Sequence, residues 1–281
     1  MTEKALPHHP FGDEVPVLDH GYVKLLDVMG DDECIVDAAR ISYDRRGKTA
    51  DRALLRYLMR NRHTSPFEMG EMRFELKMPI FVARQWVRHR TCSMNEMSAR
   101  YTELPDEMFV PDTLEMQSTD NKQGRAEGSV LGSDALRAVI EQANDDAYRG
   151  YRILLDAGVS REIARGVLPL NIYTKFVWKM DLHNLMHFLK LRLYPHAQKE
   201  IRFYAEVMER LVEKYFPITY EAFVDYSRDA YLCSRMEVAA LKFMVETYAD
   251  AVPPADLDEV LKKFGLSKRE TAEFKGRFLN G

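Results

Sequence analysis

The pattern of apolar and polar positions along the chain predicts three strands. Residues 71–78 alternate between apolar and charged side chains, and this period of two is typical of a strand with one buried face. The apolar positions of that stretch are Met72, Phe74, Leu76 and Met78. Residues 21–29 and 171–180 are rich in apolar, β-branched and aromatic residues, which strands favour.

Longer stretches with apolar residues at helical spacing predict helices between and after these strands. They cover residues 31–42, 49–60, 80–87, 134–157, 160–169, 182–193, 195–215 and 220–229, and two weaker helices are split by Pro253 and Pro254. Because strands and helices do not alternate in a βαβ rhythm, we expect an α+β fold. A small, mostly antiparallel sheet would be surrounded by helices in a single domain.

Three regions are expected to lie outside that core. Residues 1–16 form a polar leader, and residues 117–133 have the Gly, Ser, Asp, Asn and Gln content of a mobile surface loop. Residues 231–281 are predicted to be a helical extension of the main domain, which would comprise residues 1–230.

Charge and composition argue against several classes of protein. The chain has 40 basic and 44 acidic residues, a net charge of -4, whereas a general nucleic-acid-binding protein needs an excess of Lys and Arg. No apolar run of about 20 residues predicts a membrane-spanning helix, and the leader lacks the apolar centre of a secretory signal. Since its three cysteines are widely scattered, we expect a soluble cytoplasmic protein.

The candidate chemistry lies in residues 88–101, directly after a predicted short helix. Arg88, Arg90 and Arg100 are interleaved there with Ser and Asn, and guanidinium groups bind phosphate oxygens through paired hydrogen bonds. Composition alone supports a solvated charged loop equally well.

The spacing R-H-R-x-x-S-x-N-x-x-S-x-R, followed by Tyr, resembles the signature of the flavin-dependent thymidylate synthases. Similar blocks are HTSPFE at 63–68, PIFVARQW at 79–86, REIARGVLPLNIYT at 161–174, NLMHFLKLR at 184–192 and HAQKEIR at 196–202. The resemblance runs from about residue 21 to residue 223. It implies an α+β homotetramer that methylates dUMP to dTMP with 5,10-methylenetetrahydrofolate, FAD and NADPH.

The resemblance also implies which residues bind dUMP. One subunit would contribute Gln85, Trp86, Val87 and Arg88, another would contribute Glu96, Met97, Ser98, Ala99 and Arg100, and Arg165 and Arg192 complete the set. Arg192 would be catalytic, because a fixed cation beside the uracil ring favours the enolate-like form that attacks through C5. Without the resemblance, Arg165 is interpreted as a surface charge and Arg192 as a helix-terminal partner of carbonyl groups.

For FAD, the resemblance implies a second set of positions. They are His63, Ser65, Arg88, His89, Arg90, Glu96, Asp181, Leu182, His183 and His187. Asp181, His183 and His187 stand where some members have Asn, Arg and Asn, and Asp181 would repel a flavin diphosphate unless its carboxylate accepts a hydrogen bond. No GxGxxG motif follows a strand, which agrees with a flavin held between subunits. The sequence contains no metal-ligand cluster, so no metal is predicted.

Two other functions remain open on the sequence. A flavin- and folate-dependent methylation of uracil inside RNA would need a basic track for the polymer, which a tRNA-binding assay would reveal. A catalytically silent nucleotide-binding oligomer would lack the flavin absorbance and the dUMP-dependent NADPH oxidation expected of the enzyme.

Overall fold

The structure, a computed structural model, describes residues 12–43, 51–119, 122–248 and 257–278. Its strands are β1 (Val15–Val17), β2 (Gly21–Met29), β3 (Glu71–Pro79), β4 (Ser93–Glu96), β5 (Glu115–Gln117), β6 (Arg125–Ser129) and β7 (Tyr173–Asp181). Five of these form an antiparallel sheet in the order β1-β2-β3-β7-β4, while β5 and β6 pair as a separate hairpin. The predicted α+β fold with a small antiparallel sheet is confirmed.

The described residues also form eleven α-helices. They are α1 (Asp32–Arg40), α2 (Arg52–Arg60), α3 (Ile80–Trp86), α4 (Ser133–Asp156), α5 (Arg161–Ala164), α6 (Leu182–Arg192), α7 (Lys199–Tyr215), α8 (Pro217–Phe223), α9 (Arg235–Tyr248), α10 (Leu257–Lys263) and α11 (Lys268–Phe278). The chain divides into two compact units, Met1–Asp229 with the sheet and α1–α8, and Ala230–Gly281 with α9–α11.

The centre of the first unit is an aromatic cluster on one face of the sheet. Trp86 at the end of α3, Trp178 on β7 and Phe188 on α6 are completely buried. Their ring centroids lie 4.5 to 5.5 Å apart in tilted and edge-to-face arrangements, which favour aromatic pairs. Burial of each such side chain contributes roughly 1.5–3 kcal/mol. The cluster therefore fixes α3 and α6 against β7.

Asp32, at the start of α1, forms hydrogen bonds with α8. Its side chain is 5% exposed and accepts hydrogen bonds from the backbone N–H groups of Ile218 (2.8 Å) and Thr219 (2.9 Å). The Thr219 hydroxyl donates to the same carboxylate at 2.6 Å. The first N–H groups of a helix have no partner inside the helix, so this buried carboxylate stabilises α8 from α1.

The predicted mobile loop over residues 117–133 contains the last residue of β5, all of β6 and the first residue of α4, and its mobility stays a prediction. Gln117 on β5 pairs with Arg125 on β6, and α4 already begins at Ser133. Arg125 on β6 donates to Glu115 on β5 at 3.0 Å and to Glu200 on α7 at 2.7 Å. A local run of polar residues does not reveal a partner 75 positions away.

Strands also occur in two stretches predicted as polar and irregular. β4 lies within residues 88–101, and β1 overlaps the predicted leader, whose residues 1–11 lie outside the described residues. β4 is the edge strand beside β7, and an edge strand can keep polar side chains in water while its backbone pairs on one side. Met94 supplies its contact with the core.

Several helix ends differ from the predicted ones. α2 begins at Arg52 behind the capping residue Asp51, and the predicted start at 49 lies outside the described residues. The helix predicted over 195–215 begins only at Lys199. The helix predicted over 220–229 begins at Pro217 as α8 and continues as a π-helical turn, Val224–Arg228.

The second unit has three helices in its described part instead of the two predicted. Two of them begin with a reciprocal Ser/Glu pair: Glu237 N–H donates to Ser234 Oγ, and Ser234 N–H donates to the Glu237 carboxylate at 2.7 Å. Ser267 and Glu270 make the same pair at the start of α11. These capping boxes satisfy backbone N–H groups that the helix itself leaves unpaired.

Gly21 is expected to tolerate no side chain. A Cβ atom there would lie 2.0 Å from the Tyr204 hydroxyl oxygen and 2.6 Å from the Val17 carbonyl oxygen, so Gly21→Ala must displace backbone or the hydrogen bond from Tyr204 to Lys77. We expect a loss of about 1–3 kcal/mol in the free energy of unfolding, measured by urea titration at fixed protein concentration.

Gly150→Ala is the matched control for that substitution. Nothing lies within 4 Å of its Cβ position, and the residue is inside α4. There the same change should stabilise the protein by up to about 1 kcal/mol. Equal effects of the two substitutions would contradict the packing argument.

Candidate active site

A cavity of about 290 Å³ lies where the chain leaves α3 and passes along α6. It is lined by Arg88, His89, Arg90, Thr91, Met180, Asn184, His187, Leu191 and Arg192. The backbone turns sharply after α3, with His89 N–H donating to the Trp86 carbonyl at 3.0 Å. The aromatic cluster thus positions the arginine-rich segment beside α6.

Arg192 is held at two points within this cavity. Its Nε donates to His89 Nε2 at 2.9 Å, and its Nη2 donates to the Gln85 carbonyl oxygen at 3.2 Å. Burial lowers the pKa of its guanidinium, which still carries its charge at neutral pH. The remaining N–H donors of a fixed, half-buried cation are therefore available to a ligand in the cavity.

His89 is the neutral partner in this arrangement. Burial, followed by the charges of Arg192 and His187, lowers the pKa of His89 to about 4. Its ring packs edge-to-face on Phe188 with centroids 4.8 Å apart. Because Nε2 accepts the hydrogen bond from Arg192, the ring proton is on Nδ1.

Arg88 and Arg90 provide two further cations at the same cavity. Both are exposed, and neither forms an ion pair with another described residue. His187 lies on the facing side of α6, with its ring centroid 6.4 Å from that of His89. Free guanidinium groups beside a half-buried one suit an anionic ligand such as a phosphate ester.

The second half of the arginine-rich segment forms a separate cluster. After β4, the carbonyl oxygen of Ser98 accepts hydrogen bonds from the N–H groups of Tyr101 and Thr102, and Ser98 Oγ accepts one from Arg100 N–H. The side chains of Met97 and Ala99 pack against a small apolar cluster around Ile172. Hydrogen bonds and packing within the chain therefore hold this turn.

Arg100, Arg165 and Glu96 belong to that second cluster. Arg100 pairs with Glu162 at 3.1 Å, and Arg165 is exposed on the 3₁₀ turn that follows α5. Glu96 accepts a hydrogen bond from the Thr174 hydroxyl at 2.6 Å. Since none of these three residues lines the cavity that contains Arg192, one chain does not place all the predicted dUMP-binding residues at that cavity.

Two of the predicted residues can reach a ligand only through their backbone. The side chains of Trp86 and Leu182 are completely buried, so only their backbone could contact a nucleotide. The Leu182 N–H already donates to the Gly70 carbonyl oxygen at 2.8 Å. Val87, by contrast, is 39% exposed.

Asp181 has a structural partner at the start of α6. Its carboxylate accepts hydrogen bonds from the backbone N–H of Asn184 at 2.9 Å and from its side-chain amide at 2.8 Å. This is the arrangement of a helix N-cap, and the carboxylate is stabilised by the positive end of the helix. A role of Asp181 or of its half-buried neighbour His183 in flavin binding stays a prediction.

His63 and Ser65 line a different and larger cavity of about 770 Å³. Its walls come from α1, α2 and the turn that precedes β3. Tyr57 lies on one side, with its ring centroid 5.7 Å from that of His63. Of the predicted FAD-binding residues, two therefore line this cavity, four line the first one, and the other four line neither.

Asn184, Thr91 and Leu191 line the first cavity but are absent from the predicted set. The sequence does contain a signal for the residues on α6. Asn184, His187 and Leu191 are spaced by three and four residues, so Asn184 and Leu191 share one helix face with the predicted residue His187. Thr91 occupies a variable position of the signature and gave no signal of its own.

Two general features of the described chain bear on the class of site. None of its helices has both the length and the apolar character that crossing a bilayer requires. Nor does the described part bring together three or more His, Cys, Asp or Glu side chains that could hold a metal ion.

Comparisons with known proteins identify similar sequences over most of the chain. The family described as thymidylate synthase complementing protein matches residues 24–218. The chain is 49% identical over 258 residues to the flavin-dependent thymidylate synthase of Thermus thermophilus, covering 90% of this chain and 95% of that protein. It is 47% identical over 266 residues to that of Ehrlichia ruminantium, covering 92% and 86%.

A solved structure is also similar. It is a UMP/dUMP methylase PolB from Streptomyces cacaoi bound with 5-Br UMP. The TM-score is 0.69 and the sequence identity 38%, over 76% of this chain and 98% of the other.

His89 is expected to titrate with a midpoint near pH 4, well below the ordinary value of 6.5. As pH falls from 6.5 to about 4, the unfolded chain binds a proton that the folded chain does not, so the folded state loses stability in that window. NMR titration of the imidazole signal, assigned by its loss in His89→Gln, measures the midpoint. The stability of the His89→Gln variant should fall less over the same window, whereas a midpoint near 6.5 would contradict the burial of this ring.

Proposed function

This chain belongs to the flavin-dependent thymidylate synthase family, and on that premise we propose that it converts dUMP to dTMP by reductive methylation at C5. The one-carbon donor would be 5,10-methylenetetrahydrofolate, and NADPH would be the reductant. FAD, when bound, supplies the hydride transfer that completes the methyl group. The reaction would take place in the cytoplasm, where three free cysteines would remain reduced.

The single observation that supports this proposal best is the fixed position of Arg192. C5 of uracil is a weak nucleophile, and a cation held beside the ring stabilises the negative charge that develops as the ring attacks carbon. Because His89 and the Gln85 carbonyl already hold the guanidinium, it needs no reorganisation when that charge appears. Preorganised charge of this kind is often the largest catalytic contribution.

The residues present also suit FAD. Its diphosphate is an anion, and Arg88 and Arg90 are exposed cations that the described residues leave without an ion pair. Asp181 carries a charge of the same sign as this anion, but its carboxylate is turned to the start of α6. The proposed ligands are then Arg88, Arg90 and the neutral His89, whose Nδ1–H remains as a donor.

We further propose that the active site is completed by neighbouring copies of the chain in a homotetramer. Ser93 pairs with Lys179 and Glu96 with Phe176, so β4 separates the two arginine clusters by about 10 Å of strand. Large apolar side chains are exposed beside both clusters: Ile163, Val167 and Leu170 next to Arg165, and Leu191 and Tyr194 next to Arg192. Contiguous exposed apolar residues are typical of subunit interfaces.

The proposed reaction is tested by incubating FAD-replete protein with dUMP, 5,10-methylenetetrahydrofolate and NADPH and measuring dTMP. Arg192→Ala should lower kcat by roughly 100- to 1,000-fold, because it removes a preorganised charge, while most of the flavin absorbance is retained. Lys190→Ala is the matched control, since Lys190 is an exposed cation two residues earlier on α6 and does not line the cavity.

Two outcomes of this assay bear directly on the proposal. No dTMP from the wild-type protein would refute the proposed function. Loss of flavin in Arg192→Ala would instead assign this residue to the support of the cofactor site. UMP is assayed in parallel, because the similar solved structure is described as a UMP/dUMP methylase.

Shared active sites predict complementation between inactive variants. Arg192→Ala and Arg100→Ala change different clusters, so each protein alone should be inactive at every site. When the two variants are co-expressed and mixed oligomers are purified through two different tags, about a quarter of the sites would combine two intact clusters if subunits associate at random. Activity restored to that level supports the shared site, and mixed oligomers that stay inactive would contradict it.

A further inference from the structure

Gln85 is connected to the hairpin β5–β6 by a continuous series of hydrogen bonds. The Gln85 side-chain amide donates to Gln198 Oε1, and Gln198 Nε2 donates to Glu200 Oε2 at 2.8 Å. Arg125 Nη2, on β6, lies 2.7 and 2.8 Å from the two oxygens of Glu200. The series thus runs from the hairpin through the start of α7 to the end of α3.

The central member of this series is a buried charge. Glu200 is 3% exposed, and a buried carboxylate needs both a countercharge and hydrogen bonds. Arg125 supplies the countercharge, and the position of Glu200 in the first turn of α7 adds the favourable field of the helix N-terminus. Without Arg125, the carboxylate would lose its countercharge, and the Gln198 amide would remain as a side-chain donor to it.

The hairpin itself is held from both strands. Glu115 on β5 accepts hydrogen bonds from Arg125 at 3.0 Å and from Lys199 Nζ at 2.7 Å. Lys199 and Glu200 are consecutive on α7, so each strand of the hairpin is tied to the same helical turn. None of these groups lines the cavity that contains Arg192.

At its other end the series reaches the candidate active site. The Gln85 carbonyl accepts the hydrogen bond from Arg192, while its side chain takes part in the series from the hairpin. The orientation of this one residue is therefore fixed from two sides, by the catalytic cation and by a hairpin that does not touch the cavity.

We propose that Arg125 is a positioning residue for nucleotide binding, acting through Glu200 and Gln198 on the side chain of Gln85. This inference rests on the proposed function and on the prediction, implied by the family resemblance, that Gln85 contacts dUMP. An amide that is already oriented loses little freedom when the nucleotide binds, and affinity increases accordingly. The hairpin thereby contributes to dUMP affinity without contacting dUMP, and chemistry at C5 does not depend on it.

The test compares dUMP dissociation constants of FAD-replete proteins, measured from the change in flavin absorbance. Arg125→Gln should weaken dUMP binding roughly three- to tenfold, as expected for loss of one well-oriented hydrogen bond. KM for dUMP should rise by the same factor while kcat and flavin content stay within about twofold of wild type. Arg125→Lys, which restores a cation opposite Glu200, should recover part of the affinity.

The variant Gln198→Met distinguishes an effect on the orientation of Gln85 from an effect on folding. It interrupts the series but leaves the ion pair between Arg125 and Glu200 in place, so the test holds even if Arg125→Gln unfolds. Combining Gln198→Met with Arg125→Gln should weaken binding no further than Gln198→Met alone, because both act on the same path.

Arg228→Gln is the matched control. Arg228 also pairs with a carboxylate of α7, Glu209, but has no connection to Gln85, so dUMP affinity should not change. If wild type binds dUMP and both Arg125→Gln and Gln198→Met bind it equally well, the inference is overturned and the proposed function stands. A wild-type protein with no affinity for dUMP would overturn both.

Discussion

The packing of Trp86 against Phe188 is the contact on which the candidate site depends. The two rings lie 4.5 Å apart, centroid to centroid, and are completely buried. Trp86 ends α3, which continues directly into the arginine-rich segment, and Phe188 lies one turn before Arg192 on α6. The hydrogen bond from Arg192 to the Gln85 carbonyl therefore exists because two helices are locked together by a shared apolar core.

The same core buries two polar groups that form no hydrogen bond within the described part of the chain. The indole N–H groups of Trp86 and Trp178 are buried and have no hydrogen-bond partner among the described residues, which costs on the order of 1–3 kcal/mol for each group. Their ring area and edge-to-face contacts outweigh that cost. Dense packing limits movement at the end of α3. His89 lies just beyond that end and stays neutral, because its ring is buried and a second cation beside Arg192 would be poorly solvated.

Charges are used in two ways in this molecule. Arg125, Glu200 and Glu115 are paired and partly buried, and they hold a hairpin to α7. Arg88 and Arg90 lack ion pairs within the described residues and remain exposed at the cavity. Paired charges organise the scaffold, whereas unpaired cations of one sign are available to anionic ligands. In the proposed function, the paired charges therefore stabilise the fold and the unpaired cations bind the ligands.

Much of the fold and the identity of the site follow from local sequence. The alternation over residues 71–78 determined β3, since side chains on a strand face opposite sides in turn. The signature spacing from Arg88 to Tyr101 determined the family. The Ser/Glu pairs at 234 and 267 also mark helix starts, and this local signal was available although the prediction did not use it. Such features are readable because their cause lies within a few residues.

Tertiary structure decided what depends on distant partners. The ion pair of Arg125 with Glu200 joins the hairpin β5–β6 to α7, and Asp181, which the resemblance placed at a flavin diphosphate, caps α6. The neutral state of His89 depends on burial and on Arg192, 103 positions away. Likewise, only the structure shows that Arg100 and Arg165 do not line the cavity that contains Arg192. Pairing, burial and separation are properties of the folded arrangement, so residue spacing does not encode them directly.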